Sequence, residues 1–214
     1  QADLMGITTV LSGSTDLSQV FPDGFLHPAH DVDQLTYALT FDQTGGDLNR
    51  LSPWVPGFSG NFFSRGRVQG RGVSVETLSA GYDLSAVFKG FRQDQAEIDP
   101  LDLTVQVAGD IGSRLLTLDH LTVDTRPAQV QASGTYHLTD QMMDMEITVS
   151  SDDLHGTTQA FALFPVRGRV HAAVQAQGPV NGPEITAALK GRELEVAGIF
   201  LDLLDVGASL DGKG

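Results

Sequence analysis

Two histidines three apart with a carboxylate beside them, His27-Pro28-Ala29-His30-Asp31, come nearest in this chain to a metal-ligand spacing. Metal ligation at that spacing needs a regular backbone to aim both imidazoles at one point. Pro28 breaks the helix that would do so, and the segment reads as a polar loop. Asp152-Asp153, Asp202 and Asp205 supply oxygens but no Asp-x-Asp-x-Asp-Gly loop, so calcium would lack the six to eight ligands it takes. Ser12, Ser14 and Ser59 have glycine neighbours, yet none stands in the Gly-x-Ser-x-Gly elbow that presents a nucleophile. Gly66, Gly70 and Gly72 lie in strand-rich sequence with no following helix, so they read as kinks or turns and not as a phosphate loop. No spacing singles out a pair of carboxylates for glycoside hydrolysis. With no Cys in the chain, thiol nucleophiles, disulfides and Cys-based zinc sites are excluded. The remaining histidines, His120, His137, His155 and His171, are scattered and mostly on polar parity, which predicts solvent exposure. The residues point to a chain that is not an enzyme and carries no cofactor or metal.

The elements that position these residues are written in period two. Leu101, Leu103, Val105 and Val107 alternate with Asp102, Thr104 and Gln106. Val130, Ala132, Gly134, Tyr136 and Leu138 repeat the pattern, as do Met143, Met145, Ile147 and Val149, then Val170, Ala172, Val174 and Ala176. Ile185, Ala187 and Leu189 follow, then Leu194 and Val196, and Leu201 and Leu203. Upstream, Tyr37, Leu39 and Phe41, Val73 and Val75, and Tyr82, Leu84, Ala86 and Phe88 alternate too. Period two puts one set of side chains on each face of a sheet. A parallel α/β sheet would show near-continuous apolar strands instead. Turn signals such as Thr44-Gly45-Gly46-Asp47, Ala108-Gly109-Asp110, Thr139-Asp140 and Gly178-Pro179-Val180-Asn181-Gly182-Pro183 separate the runs. The phase change between Leu118 and Leu121 predicts a turn or bulge around Asp119-His120. Roughly 14 to 18 strands are expected, and a continuous sheet of that size would curl or split.

Helix signals are few. Asp47–Trp54 predicts a turn or two capped by Asp47 and ended by Pro53 and Pro56, and Thr157–Leu163 predicts a second, with Phe161 and Phe164 on one side and Pro165 as terminator. Residues 16 to 34 read as an irregular loop. The Asp-Leu of 47–48 recurs roughly 106 residues downstream at 153–154, and each copy leads through a Pro-containing aromatic segment to Gly-Arg-Val, at 66–68 and 168–170. The chain divides into an irregular stretch, 1–34, and a repetitive β segment, 35–214. Trp54 between its prolines reads as a plug at one end of the sheet. Met142, Met143 and Met145 suit an adaptable apolar surface, whether lipid-contacting or core.

Composition sets outer limits. Twenty-seven acidic against 13 basic side chains give a net charge of -14, which repels nucleic-acid phosphates and anionic membrane surfaces alike. The 41% hydrophobic content is that of a folding chain. No apolar run approaches the roughly 20 residues needed to span a bilayer. The chain lacks an initial Met and a secretory signal at Gln1, and both ends read as cut from a longer protein.

Gly168-Arg169-Val170-His171-Ala172-Ala173-Val174-Gln175-Ala176-Gln177-Gly178, then Gly182-Pro183-Glu184-Ile185 and Gly191-Arg192-Glu193-Leu194, resembles the recurring unit of the TamB/AsmA-like envelope proteins. Ser113 to Leu138 is similar, and the likeness runs from about residue 35 to the end. The resemblance implies an all-β fold: an elongated, curled, mainly antiparallel sheet (a half-open trough, or β-taco) with an apolar inner face and one or two short helical turns. It implies a segment of an inner-membrane-anchored protein in the periplasm that conducts phospholipid between the two membranes. It also implies a part in outer-membrane protein assembly with an Omp85-type partner.

The residues expected to line the apolar surface are Leu103, Val105, Val107, Val130, Ala132, Tyr136, Met143, Met145, Ile147, Val149, Val170, Val174, Ile185, Leu189, Leu194, Val196, Leu201 and Leu203. A face of this kind could take acyl chains at about 0.8 kcal/mol per buried CH₂ without fixing their position. Two other classes remain: a structural or adhesive β-solenoid with a closed apolar core and no lipid cargo, and a carbohydrate-active β-protein, against which the single Trp weighs.

Overall fold

The computed structural model describes residues 2–4, 7–24, 31–51, 57–74, 76–93, 101–125, 127–160 and 166–212. Twelve strands form one sheet: β1 (Ala2–Leu4), β2 (Ile7–Asp16), β3 (Thr36–Asp47), β4 (Phe58–Arg71), β5 (Ser79–Gln93), β6 (Leu101–Gly112), β7 (Leu115–Asp124), β8 (Ala128–His137), β9 (Met142–Ser151), β10 (Val166–Pro179), β11 (Glu184–Val196) and β12 (Ile199–Leu210). The spatial order is the chain order, β1 to β12, and every pairing is antiparallel. The expected all-β, antiparallel class is what the structure shows.

Three expectations are corrected. The strands number twelve, fewer than expected, because several are long: β5 has 15 residues, and β4 and β10 have 14 each. The sheet is open and uncurled, where a trough was expected. Among the described residues each strand pairs only with its sequence neighbours, which leaves β1 and β12 as the two open edges. Val73 does not continue an alternating strand. It follows the end of β4 in a bend and is exposed, while Val75 lies outside the described residues.

Bulges keep the alternation in phase. The register of β7 on both β6 and β8 slips at Asp119-His120, so Leu116 and Leu118 share a face with Leu121 and Val123 despite their opposite parity. On β11, Glu193 adopts a left-handed backbone, φ 52. The extra residue keeps Glu193 on the side of Arg169 while Leu194 turns back toward Gly191. Leu194 is buried there at 6% exposure.

Of the three helical pieces among the described residues, a 3-10 turn at Val32–Gln34 follows β2, while the other two lie together at the opposite end of the sheet, since both follow odd-numbered strands of an up-and-down array. A 3-10 turn, Leu48–Leu51, follows β3, with the Asp47 carboxylate accepting from the Asn49 N–H at 2.9 Å. Helix α1 (Leu154–Ala160) follows β9, starting three residues before the expected Thr157, because Asp153 caps it by accepting from the Gly156 N–H at 3.2 Å. The two Asp-Leu pairs thus occupy like places, each leading to a strand that carries Gly-Arg-Val, β4 and β10. Trp54, Phe161, Phe164 and Pro165 lie outside the described residues, as do His27 and His30.

No second layer covers this sheet among the described residues. Among the described residues only Val20, Leu48, Ala80 and Leu194 are buried hydrophobics, and none has a fully buried side chain. Stability therefore rests on the hydrogen-bonded ladder and on side-chain contact along each face, not on a two-layer core.

Candidate functional site

Directly opposed residues of an antiparallel pair share a face, so the registers can be followed across the sheet. One row runs Leu11, Phe41, Gly66, Leu84, Val107, Leu121, Ala132, Ile147, Val174, Ala187, Ala208, from β2 to β12 without a polar side chain. At about 4.8 Å per strand it is roughly 48 Å long. A parallel row runs Ala86, Val105, Val123, Val130, Val149, Ala172, Leu189, Val206 across β5 to β12. Two more rows on the same face hold Tyr82, Leu118, Met145 and Ile185, and Tyr136 and Met143.

Of the eighteen residues expected to line an apolar surface, the registers place most in these rows. Leu103 opposes Phe88, and Val170 opposes Gly191. Leu194 lies under Gly191, Val196 opposes Val166, and Leu201 opposes Leu194. Leu203 is the exception. It opposes Arg192, while its neighbour Leu204 opposes Gly191 and continues the row. Leu203 is 66% exposed, and Leu204 is the one partly covered residue of β12.

The sequence list began at β6 and left out the face over β2–β5. Phe41 and Leu84 meet there over Gly66, where a Cβ would run into both. At the end beside the 3-10 turn, Phe58 stacks on Phe91 with ring centroids 5.3 Å apart, and Phe88 joins Phe62 and Phe91 at 6.1 and 6.0 Å. Alternation of Phe88 with Leu84 was a signal for it. Phe58 and Phe62 were hidden because a register shift between Ser59 and Asn61 interrupts their strand.

Polar groups interrupt the face in places. The Tyr82 hydroxyl donates to the Thr117 carbonyl at 3.3 Å, passing over Gly109, which has no side chain to block it. Burial, with Asp119 and Asp110 adding to it, pushes the phenol pKa up and keeps it a donor. Near β2–β4 the second row turns polar, with Thr9, Gln43 and Ser64 opposed. The Ser64 hydroxyl donates to Gln43 Oε1 at 2.8 Å, while Gln43 Nε2 is buried without a partner among the described residues.

Along the strands, the intervening positions form the other face. Gln106, Thr122, Gln131 and Thr148 make one of its rows. His120, His137, His155 and His171 are all exposed. Ion pairs Lys89–Asp102, Arg167–Glu195 and Arg169–Glu193 close at 2.8, 3.4 and 2.7 Å. The molecule thus presents one long apolar surface and one hydrated surface, back to back. Such a surface can hold apolar matter in two dimensions. No protein-family model, curated protein or solved structure matches the chain.

Proposed function

We propose that the apolar face binds phospholipid acyl chains, and that the chain is a segment of a periplasmic, inner-membrane-anchored envelope protein that conducts lipid between the inner and outer membranes. The carrying observation is the unbroken apolar row from β2 to β12, uncovered by any second layer among the described residues. Its resemblance to the TamB/AsmA-like proteins supports the choice of phospholipid, the envelope setting and an Omp85-type partner in outer-membrane protein assembly.

An open face holds a chain on one side only. If contact buries about half of each methylene, a roughly sixteen-carbon acyl chain gains about 6 kcal/mol, against about 13 kcal/mol when enclosed. The smaller figure suits a conduit, since adsorption by rows of like methyls is non-directional and leaves a chain free to slide. Headgroups would remain in water along the rim.

Photo-crosslinking side chains at Val105, Val130, Ile147 and Val174 capture lipid on this reading, and those at Gln106 and Gln131 do not. The registers put the two sets on opposite faces. Equal labelling of both sets defeats the proposal. Native mass spectrometry that finds no bound phospholipid on the full chain favours the structural solenoid instead.

A further inference from the structure

The hydrated face carries a line of arginines. Strand β4 sets Arg65, Arg67 and Arg71 along one edge of its pleat, so three of the 13 basic side chains of a chain with net charge -14 fall in one line. An open concavity of about 610 Å³ lies over Arg65 and Arg67, bounded by Ser12 and Thr40 on one side and Asp83 and Ser85 on the other. Arg65 donates from Nε to Ser85 Oγ at 3.3 Å, which holds the side chain in place and leaves its outer nitrogens without a partner among the described residues.

The internal repeat supplies a comparison. Arg67 and Arg169 are the arginines of the two Gly-Arg-Val stretches. Arg169 is neutralised by Glu193 at 2.7 Å. Arg67 has Asp83 directly opposite, whereas Arg169 has Arg192 opposite and reaches Glu193 at the bulge. Among the described residues, no ion pair within 4 Å joins Arg65 or Arg67 to Asp42 or Asp83. One copy of the motif is internally satisfied, and the other presents its guanidinium to the concavity.

The surroundings narrow the ligand. A free guanidinium beside a second, tethered one is a fork for a carboxylate or phosphate. The flanking carboxylates Asp42 and Asp83 disfavour a densely charged polyanion but accept hydrogen bonds from hydroxyls. Beside Arg65 on this face, Phe63 stands 44% exposed, opposite Val87. A smaller hollow of about 230 Å³ joins Phe63 and Val87 to Arg65 and Ser85. An exposed ring next to hydrogen-bonding groups suits the apolar face of a pyranose.

We propose that the β3–β6 part of the hydrated face binds a short acidic glycan, one anionic group seated on Arg67 and Arg65 and a sugar ring against Phe63. The site lies on the opposite side of the sheet from the lipid face and does not depend on it.

The test is an NMR titration of the full 214-residue chain with digalacturonate, glucose 6-phosphate, cellobiose and inorganic phosphate. One or both acidic sugars should shift the β4 and β5 amides, more strongly than cellobiose or phosphate. Replacing Arg67 removes a charge-assisted bidentate contact, so R67Q should weaken binding about tenfold or more. F63S should weaken it less, and R169Q, at the repeat-related position, not at all. Both R67Q and R169Q alter exposed side chains, so folding is preserved. The proposal fails if neither acidic sugar binds, if cellobiose or phosphate alone binds as well, or if R67Q binds like the unaltered chain.

Discussion

Replacing Ile147 by Asp separates an open apolar face from a closed core. Ile147 lies mid-row between Ala132 and Val174 and is 38% exposed. Full burial of an isoleucine is worth about 1.5–3 kcal/mol, so the part hidden here is worth about 1–2 kcal/mol. The poor strand preference of aspartate adds up to about 1 kcal/mol. The carboxylate keeps access to water, so no desolvation cost of an ion is added. The expected loss is about 1–3 kcal/mol, read by urea denaturation with an unchanged slope. In a closed core, the same change would strand a charge and cost about 5 kcal/mol or more. On the lipid reading, I147D should remain folded and lose most co-purifying phospholipid, while Q131D on the opposite face keeps it. A loss above about 5 kcal/mol, or lipid retained by folded I147D, refutes the reasoning.

Other outcomes follow from single contacts. Gly109→Val puts a side chain into the Thr117 carbonyl and the Tyr82 hydroxyl, and should cost about 3 kcal/mol or more by thermal melting. Thr158→Val removes a buried hydroxyl that donates to the Leu154 carbonyl at 2.8 Å and accepts from the Val166 N–H at 3.4 Å. It should cost about 1–3 kcal/mol and speed amide exchange at Val166. Arg169→Gln breaks an ion pair whose members are 49% and 64% exposed, and should change stability by less than about 1 kcal/mol. Hydrogen bonding from the Thr77 side chain, then from Ser74, lowers the Asp33 pKa despite opposing desolvation. A depressed folded-state pKa means the tether between Asp33 and the β4–β5 turn is present above the ordinary aspartate value. It is lost as pH falls through the lower folded value. A carboxyl NMR titration of Asp33 should show that depressed midpoint, and D33N should remove the acid-dependent change in the Ser74 amide.

Strand identity and facing were legible because period two survives wherever one face is apolar and the other polar. Even the bulge at Asp119-His120 could be read, since it reversed the parity of four leucine and valine positions. Glu193 could not be read in the same way: nothing in Arg192-Glu193-Leu194 marks a left-handed residue. Leu203 and Leu204 are adjacent leucines, and composition alone cannot say which faces Gly191. Curvature was equally hidden. It depends on how twist accumulates over twelve strands, which no local window contains. The arginine line on β4 was visible as Arg65, Arg67 and Arg71, but which arginines find a carboxylate was not. Glu193 reaches Arg169 through the bulge on β11, and that placement shows only once the strands are paired.

The chain-order pairing of the sheet has a kinetic consequence. Each strand's partners are its immediate predecessor and successor, so most pairings close a short connection, the longest being that from Asp16 to Thr36. Folding can begin at any hairpin and spread outward, and the stability of the whole is close to a sum over adjacent pairs. No single strand is a keystone. Shortening the array from β12 should shorten the apolar row by one strand at a time and leave the remaining hairpins standing.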